Sequence, residues 1–367
     1  GGGIGASHVV AVREAAKRFE GLMDIQTVAL VHQPVTGADG AENRAALLEA
    51  IEAGVDLVGG CPHLDPDPQG LIDHVIAVAT DAGLGLDLHV DETLDADALT
   101  LPLLARSIQR TGFAHPVTAG HCVSLSVQSL PVQEAVAREV AAAGISIVAL
   151  PQTNLFLQGW EHPVSMPRGI TPINVLRDAG VRVVAGADNV QDPFNPMGRS
   201  DGLETAALLV MAAHQLPDQA LELVGNSVRE VLGLRRVSMQ VGDVADLVAI
   251  DAPTARAAMA DAPRDRMVFR RGRLVATRRE TSTVHRPART EEPVAVPGPA
   301  ADHGKRNLWL AISGGSLLAL TDLGGASHAR LCRLIPETCC VGESNNTLCS
   351  DGIDNDSNGY TDCQDFA

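Results

Sequence analysis

The sequence repeats one unit between residues 24 and 188, in which a short apolar run is followed by a few polar residues and an Ala/Leu-rich segment. The runs are rich in β-branched residues and do not alternate with polar ones, which is typical of parallel strands buried on both faces. They recur about every 30 residues, the length of a βαβ unit. The pattern predicts an α/β fold, either a (β/α) barrel or a doubly wound sheet. The predicted strands are DIQTVALV (24–31), VDLVGG (55–60), LGLDLHV (84–90), PVTAGH (116–121), ISIVALP (145–151) and VRVVAGAD (181–188).

The segments between and after these strands predict helices and a small β module. Four segments are predicted as helices: AENRAALLEAIEAG (41–54), PVQEAVAREVAAAG (131–144), 203–214 and 217–233. The first two are amphipathic, and the second closes with a glycine, which commonly ends a helix. DVADLVAIDAP (243–253) and RMVFRRGRLVAT (266–277) follow, and we expect them to form short antiparallel strands.

Changes in composition divide the chain into four expected parts. These are a (β/α) barrel (1–240), a small β module (241–277), a Pro-rich linker (278–303) and an apolar segment with a Cys/Asp-rich tail (304–367). Residues 304–329 begin with basic residues, continue with apolar ones and end with small ones, as a signal peptide does. Their apolar part is short and contains glycines, so it does not predict a membrane span. A packed amphipathic helix is the alternative interpretation of this segment.

The formal net charge of -17 speaks against nucleic acid or an anionic membrane as a partner, because both require basic patches. With aromatic residues at 2%, the core must consist of Ala, Val and Leu. The first part of the chain has only Cys61 and Cys122 and begins without a signal peptide, which indicates a cytoplasmic body. Five further cysteines give the tail a secreted-type composition: Cys332, Cys339, Cys340, Cys349 and Cys363.

Three of the predicted strands end in a residue that can bind a metal ion. His89 ends the third strand with Glu92 just beyond it, His121 ends the fourth and Asp188 ends the sixth. The carboxyl ends of parallel strands meet at one rim, where the catalytic groups of α/β barrels lie. Imidazole and carboxylate groups together suit a divalent cation that activates water. Each residue alone also has a structural interpretation, as a hydrogen-bonded histidine or a helix N-cap aspartate.

Further polar residues follow other predicted strands and could recognise a small polar ring. They are His32, Gln33, His63, Asp65, Asp67, Asn154 and Gln158. Solvated loops are the alternative for each of them. Cys61 near His63 could form a thiol–imidazole pair, but no other feature of a thiol enzyme accompanies it. No G-x-S-x-G occurs, which excludes the usual serine-hydrolase nucleophile turn.

Five collinear segments resemble the cytosine deaminase branch of the amidohydrolase superfamily. The segments are HVDE (89–92), TAGH (118–121), LQGW (157–160), RGITPINVLRDAGVRVVAGADNVQDPFNPMG (168–198) and GDVADLVAID (242–251). The resemblance extends from about residue 8 to residue 277. It implies a (β/α)8 barrel with a small β-sandwich. The implied activity is deamination of a small nitrogen heterocycle, as in nucleobase metabolism, by a hydroxide bound to Zn or Fe.

The resemblance also implies roles for the residues at the strand ends. His89 and Asp188 would bind the metal, and Asp188 would also take a proton from the attacking hydroxide. Glu92 would be the proton shuttle to the ring nitrogen and to the leaving amine. His121 would orient the hydroxide, and Gln158 would line the substrate pocket. The partner is therefore a small molecule, and a homo-oligomer is compatible with this family.

The chain departs from the family pattern at its first strands, because no H-x-H occurs anywhere in the sequence. In the family, this motif supplies two more metal ligands. The six predicted strands match the family's third to eighth, so we expect an N-terminally truncated, incomplete barrel. A catalytically inactive, truncated amidohydrolase joined to a secreted calcium-binding module is the alternative.

Three further departures concern the residues expected to bind the substrate. Asn189 follows Asp188, where the family has a second acidic residue. Asn can donate as well as accept a hydrogen bond, so the preferred ring could differ from cytosine. His32 and Gln33 lie where the family has a substrate-binding glutamine, and Phe194 lies where it often has a larger aromatic residue.

The tail contains a sequence with the spacing of a calcium-binding loop. The candidate ligands are Asp354, Asp356, Asn358, Tyr360 through its carbonyl group, and Asp362. Gly359 lies at the sixth position, but the closing glutamate is missing, and Cys349 and Cys363 flank the loop. A disordered acidic tail is the alternative.

Overall fold

Six strands form one parallel sheet in the order of the chain. A computed structural model describes residues 6–281, 283, 307–312 and 316–321. Each strand lies within a predicted run. Within the described residues the strand order has no reversal, whereas a doubly wound sheet requires one, so the fold is α/β of the TIM-like type. The strands are β1 (Val28–Ala29), β2 (Leu57–Val58), β3 (Gly85–Val90), β4 (Val117–His121), β5 (Ser146–Ala149) and β6 (Val183–Ala185).

Helices alternate with these strands, as the sequence predicts. In chain order they are α1 (Ser7–Lys17), α2 (Ala41–Glu52), α3 (Pro68–Ala82), α4 (Leu101–Thr111), α5 (Leu130–Ala142), α6 (Pro151–Leu157), α7 (Ile173–Asp178), α8 (Gly202–Ala213), α9 (Pro217–Val224), α10 (Asn226–Val231) and α11 (Ala255–Asp261). The single helix predicted at 217–233 is wrong. Gly225, with φ −114° and ψ −104°, separates α9 from α10, because glycine adopts backbone angles that a helix does not allow.

Aspartate side chains cap two of the helices. The Asp67 carboxylate accepts a hydrogen bond from the Gly70 amide at the start of α3, at 2.9 Å. The Asp201 carboxylate accepts one from the Leu203 amide at the start of α8, at 3.0 Å. Both satisfy backbone donors that have no partner within the helix.

The core lies between the sheet and its helices and is aliphatic. Leu86, Leu88 and Ile147 of the sheet and Leu71 and Ile72 of α3 are fully buried. Among the described residues no Phe, Tyr or Trp side chain is buried, as the low aromatic content predicts, but isoleucine shares the core with the predicted Ala, Val and Leu. None of the described helices is both long and apolar enough to span a membrane.

A three-stranded antiparallel sheet forms the predicted β module. It consists of β7 (Leu247–Ile250), β8 (Arg266–Arg270) and β9 (Arg273–Arg278). The Arg266 guanidinium donates two hydrogen bonds to the Asp201 carboxylate, at 2.9 and 2.8 Å. The module is thus joined to the first turn of α8. Both belong to one compact unit, Gly1–Glu280.

The second compact unit comprises Thr281–Ala367. Its described residues form two antiparallel strands, β10 (Asn307–Ile312) and β11 (Ser316–Thr321). The alternative of an amphipathic helix is therefore wrong for these residues. Two consecutive glycines, 314 and 315, disfavour a helix in this sequence because glycine has low helix propensity. The candidate calcium ligands 354–362 and the five tail cysteines lie outside the described residues.

Candidate active site

The predicted catalytic residues lie at and just beyond the carboxyl ends of the parallel strands. His89 is the penultimate residue of β3 and His121 is the last residue of β4, with Val90 and His121 in register. Asp91 and His121 have left-handed backbone angles, with φ 55° and 68°, and Asp188 beyond β6 has φ 59°. Non-glycine residues rarely adopt these angles, and they concentrate at functional sites.

Three of the predicted residues form a compact cluster. Glu92, His121 and Asp188 each offer one ligand atom, and these atoms lie within 4.8 Å of one another. Nδ1 of His121 is 3.3 Å from Oε1 of Glu92. The ring centroid of His89 is 5.0 Å from that of His121. The fold therefore brings together residues that lie up to about a hundred positions apart in the sequence.

The environment of the cluster disfavours charged side chains. Burial raises the pKa of Glu92 to about 7, and the nearby Asp188 carboxylate contributes to the increase. Burial also raises the pKa of Asp188. Burial lowers the pKa of His121 to about 3, with a further contribution from His89. A divalent cation would offset the cost of ionising the two carboxyl groups here.

Two buried polar atoms in the cluster have no hydrogen-bond partner among the described residues. They are Nε2 of His121 and Oδ1 of Asn154. Buried polar atoms are normally satisfied, so these two are suited to bind a ligand. Imidazole nitrogens of His89 and His121 and carboxylate oxygens of Glu92 and Asp188 are donors that suit Zn or Fe. The residues present thus fit a transition metal.

Asp91 was not identified from the sequence, although it holds the HVDE segment in place. Its buried carboxylate accepts hydrogen bonds from the Thr100 amide (2.7 Å), the Thr100 hydroxyl (2.6 Å) and the Leu101 amide (3.0 Å). Its own amide donates to Nδ1 of His63 at 3.1 Å. Burial raises the pKa of Asp91 to about 6, although its hydrogen bonds with Thr100 oppose the increase. An acidic residue between His89 and Glu92 was the only sequence signal for this role.

The segment after Asp188 is held by an amide–carboxylate network. The Asn189 side chain accepts a hydrogen bond from the Thr153 hydroxyl at 3.2 Å and donates one to the Asp192 carboxylate at 2.6 Å. Asp192 also accepts from the Phe194 amide at 2.9 Å. Asn189 is therefore fixed beside Asp188, whereas the Phe194 side chain is 54% exposed.

The other predicted substrate-binding residues differ in their distance from the cluster. The Gln158 side chain donates a hydrogen bond to the backbone carbonyl of Glu92 at 3.1 Å, which places it beside the site. The Gln33 side chain donates to the carbonyl of Val31 at 3.2 Å, and His32 is exposed. Among the described residues, neither His32 nor Gln33 has a hydrogen bond to the cluster.

Two other strand-end acids have structural roles, which neither the substrate-binding interpretation nor that of solvated loops predicts. The Asp65 carboxylate accepts hydrogen bonds from the amide and hydroxyl groups of Thr36, and Asp67 caps α3. Cys61 and Cys122 are free and buried, and burial raises the pKa of the Cys61 thiol to about 12. A thiol that stays protonated is a poor nucleophile, which argues against a thiol enzyme.

Comparison with protein families gives a match over most of the chain. The sequence model of the amidohydrolase family matches residues 5–276. A pterin deaminase from Rhizobium rhizogenes is 40% identical over 237 residues, which are 63% of this chain and 54% of that protein. The chain thus spans about half the length of this curated relative.

Solved structures with the same fold include those of two enzymes. N-isopropylammelide isopropylaminohydrolase from Burkholderia multivorans is 29% identical with a TM-score of 0.62, covering 74% of this chain and 68% of that one. 5-Methylcytosine deaminase from Klebsiella pneumoniae, liganded with 5-fluorocytosine, is 24% identical with a TM-score of 0.66. The similarity covers 76% of this chain and 68% of that one.

Proposed function

Because the chain belongs to the amidohydrolase family, we propose that it is a metal-dependent hydrolase that removes an amino group from a small nitrogen heterocycle. The bond broken is a C–N bond other than a peptide bond. The observation that carries the proposal is the convergence of Glu92, His121 and Asp188, whose ligand atoms lie within 4.8 Å of one another at the strand ends. The alternative of a non-catalytic chain has no support from the comparisons.

The substrate that we favour is a ring with the amino-carbonyl pattern of pterin. Its basis is the 40% identity to a pterin deaminase, which exceeds the 24% identity to the 5-methylcytosine deaminase structure. In pterin and isocytosine, the amino group is on the carbon between two ring nitrogens, and a carbonyl group is on the carbon beyond one of these nitrogens. In cytosine, the carbonyl group is on the carbon between the two nitrogens, and the amino group is on the carbon beyond one of them. Asn189 supports this choice, because its amide can pair with both donors and acceptors of the ring.

The cluster provides acid–base groups on which such a reaction depends. We assign His89 and Asp188 as this chain's ligands to Zn or Fe, which would supply a water activated near neutral pH. Asp188 would accept a proton from that water. Glu92, with a pKa of about 7, can both hold and release a proton, as transfer to the ring nitrogen and then to the leaving amine requires. His121 would orient the reacting oxygen by a hydrogen bond.

The proposed substrate-binding residues surround these groups. Gln158 and Asn189 are adjacent to Glu92 and Asp188, so we expect them to contact the ring directly. Phe194 would cover one face of the ring, and His32 and Gln33 would contact its far edge. The cytoplasmic location and the homo-oligomer remain predictions, and light scattering of the purified chain tests the latter.

Ammonia release from pterin, isocytosine and cytosine, with Zn or Fe supplied, tests the proposed function. We expect turnover of pterin, a loss of about 10²–10⁴-fold in Glu92→Gln, and one bound transition metal per chain that is lost in His89→Gln. His115→Gln, which changes a histidine outside the cluster, is the matched control and should keep the metal. Absence of both stoichiometric metal and ammonia release from all three rings would refute the proposal.

A further inference from the structure

The backbone of the HVDE segment fixes the orientation of the Gln158 side-chain amide. Its nitrogen Nε2 donates a hydrogen bond to the backbone carbonyl of Glu92 at 3.1 Å. A carbonyl group only accepts hydrogen bonds, so the amide nitrogen and not the amide oxygen must face Glu92. The second N–H group and the carbonyl oxygen Oε1 of Gln158 have no partner among the described residues, so both are available to a ligand.

Gly169 lies against the first two carbon atoms of the Gln158 side chain. A Cβ atom at position 169 would overlap Cβ of Gln158 and would lie 2.8 Å from its Cγ. Carbon atoms in contact are about 3.5–4.0 Å apart, so a residue with a side chain does not fit there. Cβ of Gln158 cannot rotate away, because side-chain rotation moves only the atoms beyond it.

The backbone around Gly169 is anchored on both sides. The Arg168 guanidinium donates a hydrogen bond to the carbonyl of Ala212 at 2.8 Å. The Thr171 hydroxyl donates one to the backbone carbonyl of His121 at 2.6 Å, and Thr171 is buried. These contacts keep Gly169 from moving aside to make room for a side chain.

We infer that Gly169 is a positioning residue that holds Gln158 against the Glu92 carbonyl and so presents its amide to the substrate. The part of Gln158 in substrate binding rests on the proposed deaminase function. Because the backbone at Gly169 is anchored, a side chain at this position must displace Gln158. The amide then loses its hydrogen bond to Glu92 and its fixed orientation toward the ring.

This role predicts an effect on substrate binding and not on the chemical step. The Gln158 amide contacts the ring in the same way before and during the reaction. Glu92 keeps its place without Gln158, because the Asp91 carboxylate is held by the amides of Thr100 and Leu101. Loss of a hydrogen bond to the ring therefore raises KM and leaves kcat nearly unchanged.

Steady-state kinetics of ammonia release from pterin by the full chain, with Zn or Fe supplied, tests this inference. In Gly169→Ala, KM should rise about 3–10-fold, whereas kcat should change by less than about 2-fold. Gly112→Ala is the matched control. Gly112 has φ 63°, close to the 60° of Gly169, but a Cβ atom there would meet nothing within 4 Å. This variant has the same backbone strain and should leave both constants unchanged.

A double-mutant cycle with Gln158→Gly shows whether Gly169 acts through Gln158. Gln158→Gly removes the amide and both carbon atoms that a Cβ at position 169 would meet, so Gly169→Ala should raise KM no further in this background. If Gly169→Ala alone does not fold, the double variant should fold, because it lacks the overlap. A further rise in KM, or a double variant that does not fold although Gln158→Gly does, would overturn the inference.

Hydrogen exchange of the Gln158 amide gives a second measurement. In 1H–15N spectra of the labelled full chain, the Gln158 amide signals are those missing in Gln158→Gly. One of its protons should exchange with water several-fold more slowly than those of Gln240, which is exposed. Gly169→Ala should remove this difference, and Gly112→Ala should retain it. Slow exchange that persists in a folded Gly169→Ala would contradict the assigned role.

The exchange measurement requires no turnover, so it separates this inference from the proposed function. If the chain releases no ammonia but Gly169→Ala abolishes the slow exchange, the deaminase proposal fails and the assignment to Gly169 stands. If the chain releases ammonia and Gly169→Ala changes neither the exchange nor KM, the reverse holds.

Discussion

Folding buries the side-chain carboxyl group of Glu92. In the unfolded chain its pKa has the ordinary value near 4.5, whereas burial raises the pKa in the folded chain to about 7. Between these values the folded state keeps a proton that the unfolded state has lost. The contribution of Glu92 to the free energy of unfolding therefore decreases as the pH rises from about 4.5 to about 7.

We expect Glu92→Gln to be more stable than the natural metal-free chain at pH 8, by on the order of 2 kcal/mol. The reason is that glutamine has the shape of the protonated acid and no charge to bury. At pH 4.5 the two chains should differ little. Guanidinium chloride unfolding in EDTA at both pH values measures the difference.

Glu49→Gln is the control, because Glu49 is exposed on α2 and its change should alter stability little at either pH. Asp91 titrates in the same direction, but it remains in both chains and cancels in the comparison. Asp188 interacts with Glu92, so the difference between the two chains includes the repulsion between these two carboxylates. An effect of Glu92→Gln that is the same at pH 4.5 and pH 8 would contradict the assigned cause.

Some residues of the candidate site can be predicted from the sequence and others are found only in the structure, because different features identify them. His89, His121 and Asp188 could be predicted because they end apolar runs, and a sequence shows where such a run ends. The roles of Asp91 and Thr153 depend on partners 9 and 36 residues away, Thr100 and Asn189, through side-chain geometry. Sequence periodicity contains no information on such pairs.

At the scale of the elements, one side chain joins α8 to β8. Asp201 caps α8 through the Leu203 amide and also binds the Arg266 guanidinium in β8 by two hydrogen bonds. The hydrogen bonds from Arg266 hold the pKa of Asp201 below its usual value. Both side chains are about four-fifths buried, so removal of the acid leaves a cation with little access to water.

Asp201→Ala should therefore destabilise the chain more than a change that removes a cap alone. We expect a loss of about 2–3 kcal/mol for Asp201→Ala and about 1 kcal/mol for Asp67→Ala, which removes only the cap of α3. Urea unfolding at pH 7 measures both. Arg266→Met in a double-mutant cycle isolates the ion pair. Equal losses in the two alanine variants would show that the ion pair contributes nothing.

The elements themselves could be predicted to different extents. All six parallel strands were found, because a strand buried on both faces leaves a continuous apolar run. The division of 217–233 at Gly225 was missed, because one glycine in a helical pattern does not by itself break the pattern. The pairing of 307–312 with 316–321 was missed, because a short apolar run fits a helix or a strand equally well.

At the scale of the whole molecule, the sequence combines an enzyme-like body with a tail of another composition. The compact units divide at Glu280, and the candidate calcium ligands lie in the second of them, outside the described residues. The spacing of these candidate ligands is a property of the tail sequence alone. Calcium binding by the tail is therefore a prediction separate from the deaminase.

We expect the full chain to bind one calcium ion with a dissociation constant of about 10⁻⁴–10⁻³ M, as in extracellular modules, because the closing glutamate is missing. Titration calorimetry measures this. Asp354→Asn combined with Asp356→Asn should abolish the binding without changing the transition-metal content. Asp39→Asn combined with Asp81→Asn, two exposed acids of the barrel, is the control of equal charge. Calcium binding that survives in the tail variant would contradict the assigned ligands.

The aliphatic core has a consequence for the optical properties of the protein. Trp160 is 71% exposed and lies two residues after Gln158, the side chain bonded to the Glu92 carbonyl. Among the described residues no Phe, Tyr or Trp side chain is fully buried, and Phe113 packs against the core while partly exposed, so unfolding changes the surroundings of few chromophores. In a Trp309→Phe variant, tryptophan emission would come from Trp160 alone, and it would report on the packing of Trp160 against Phe156 in the segment next to Gln158.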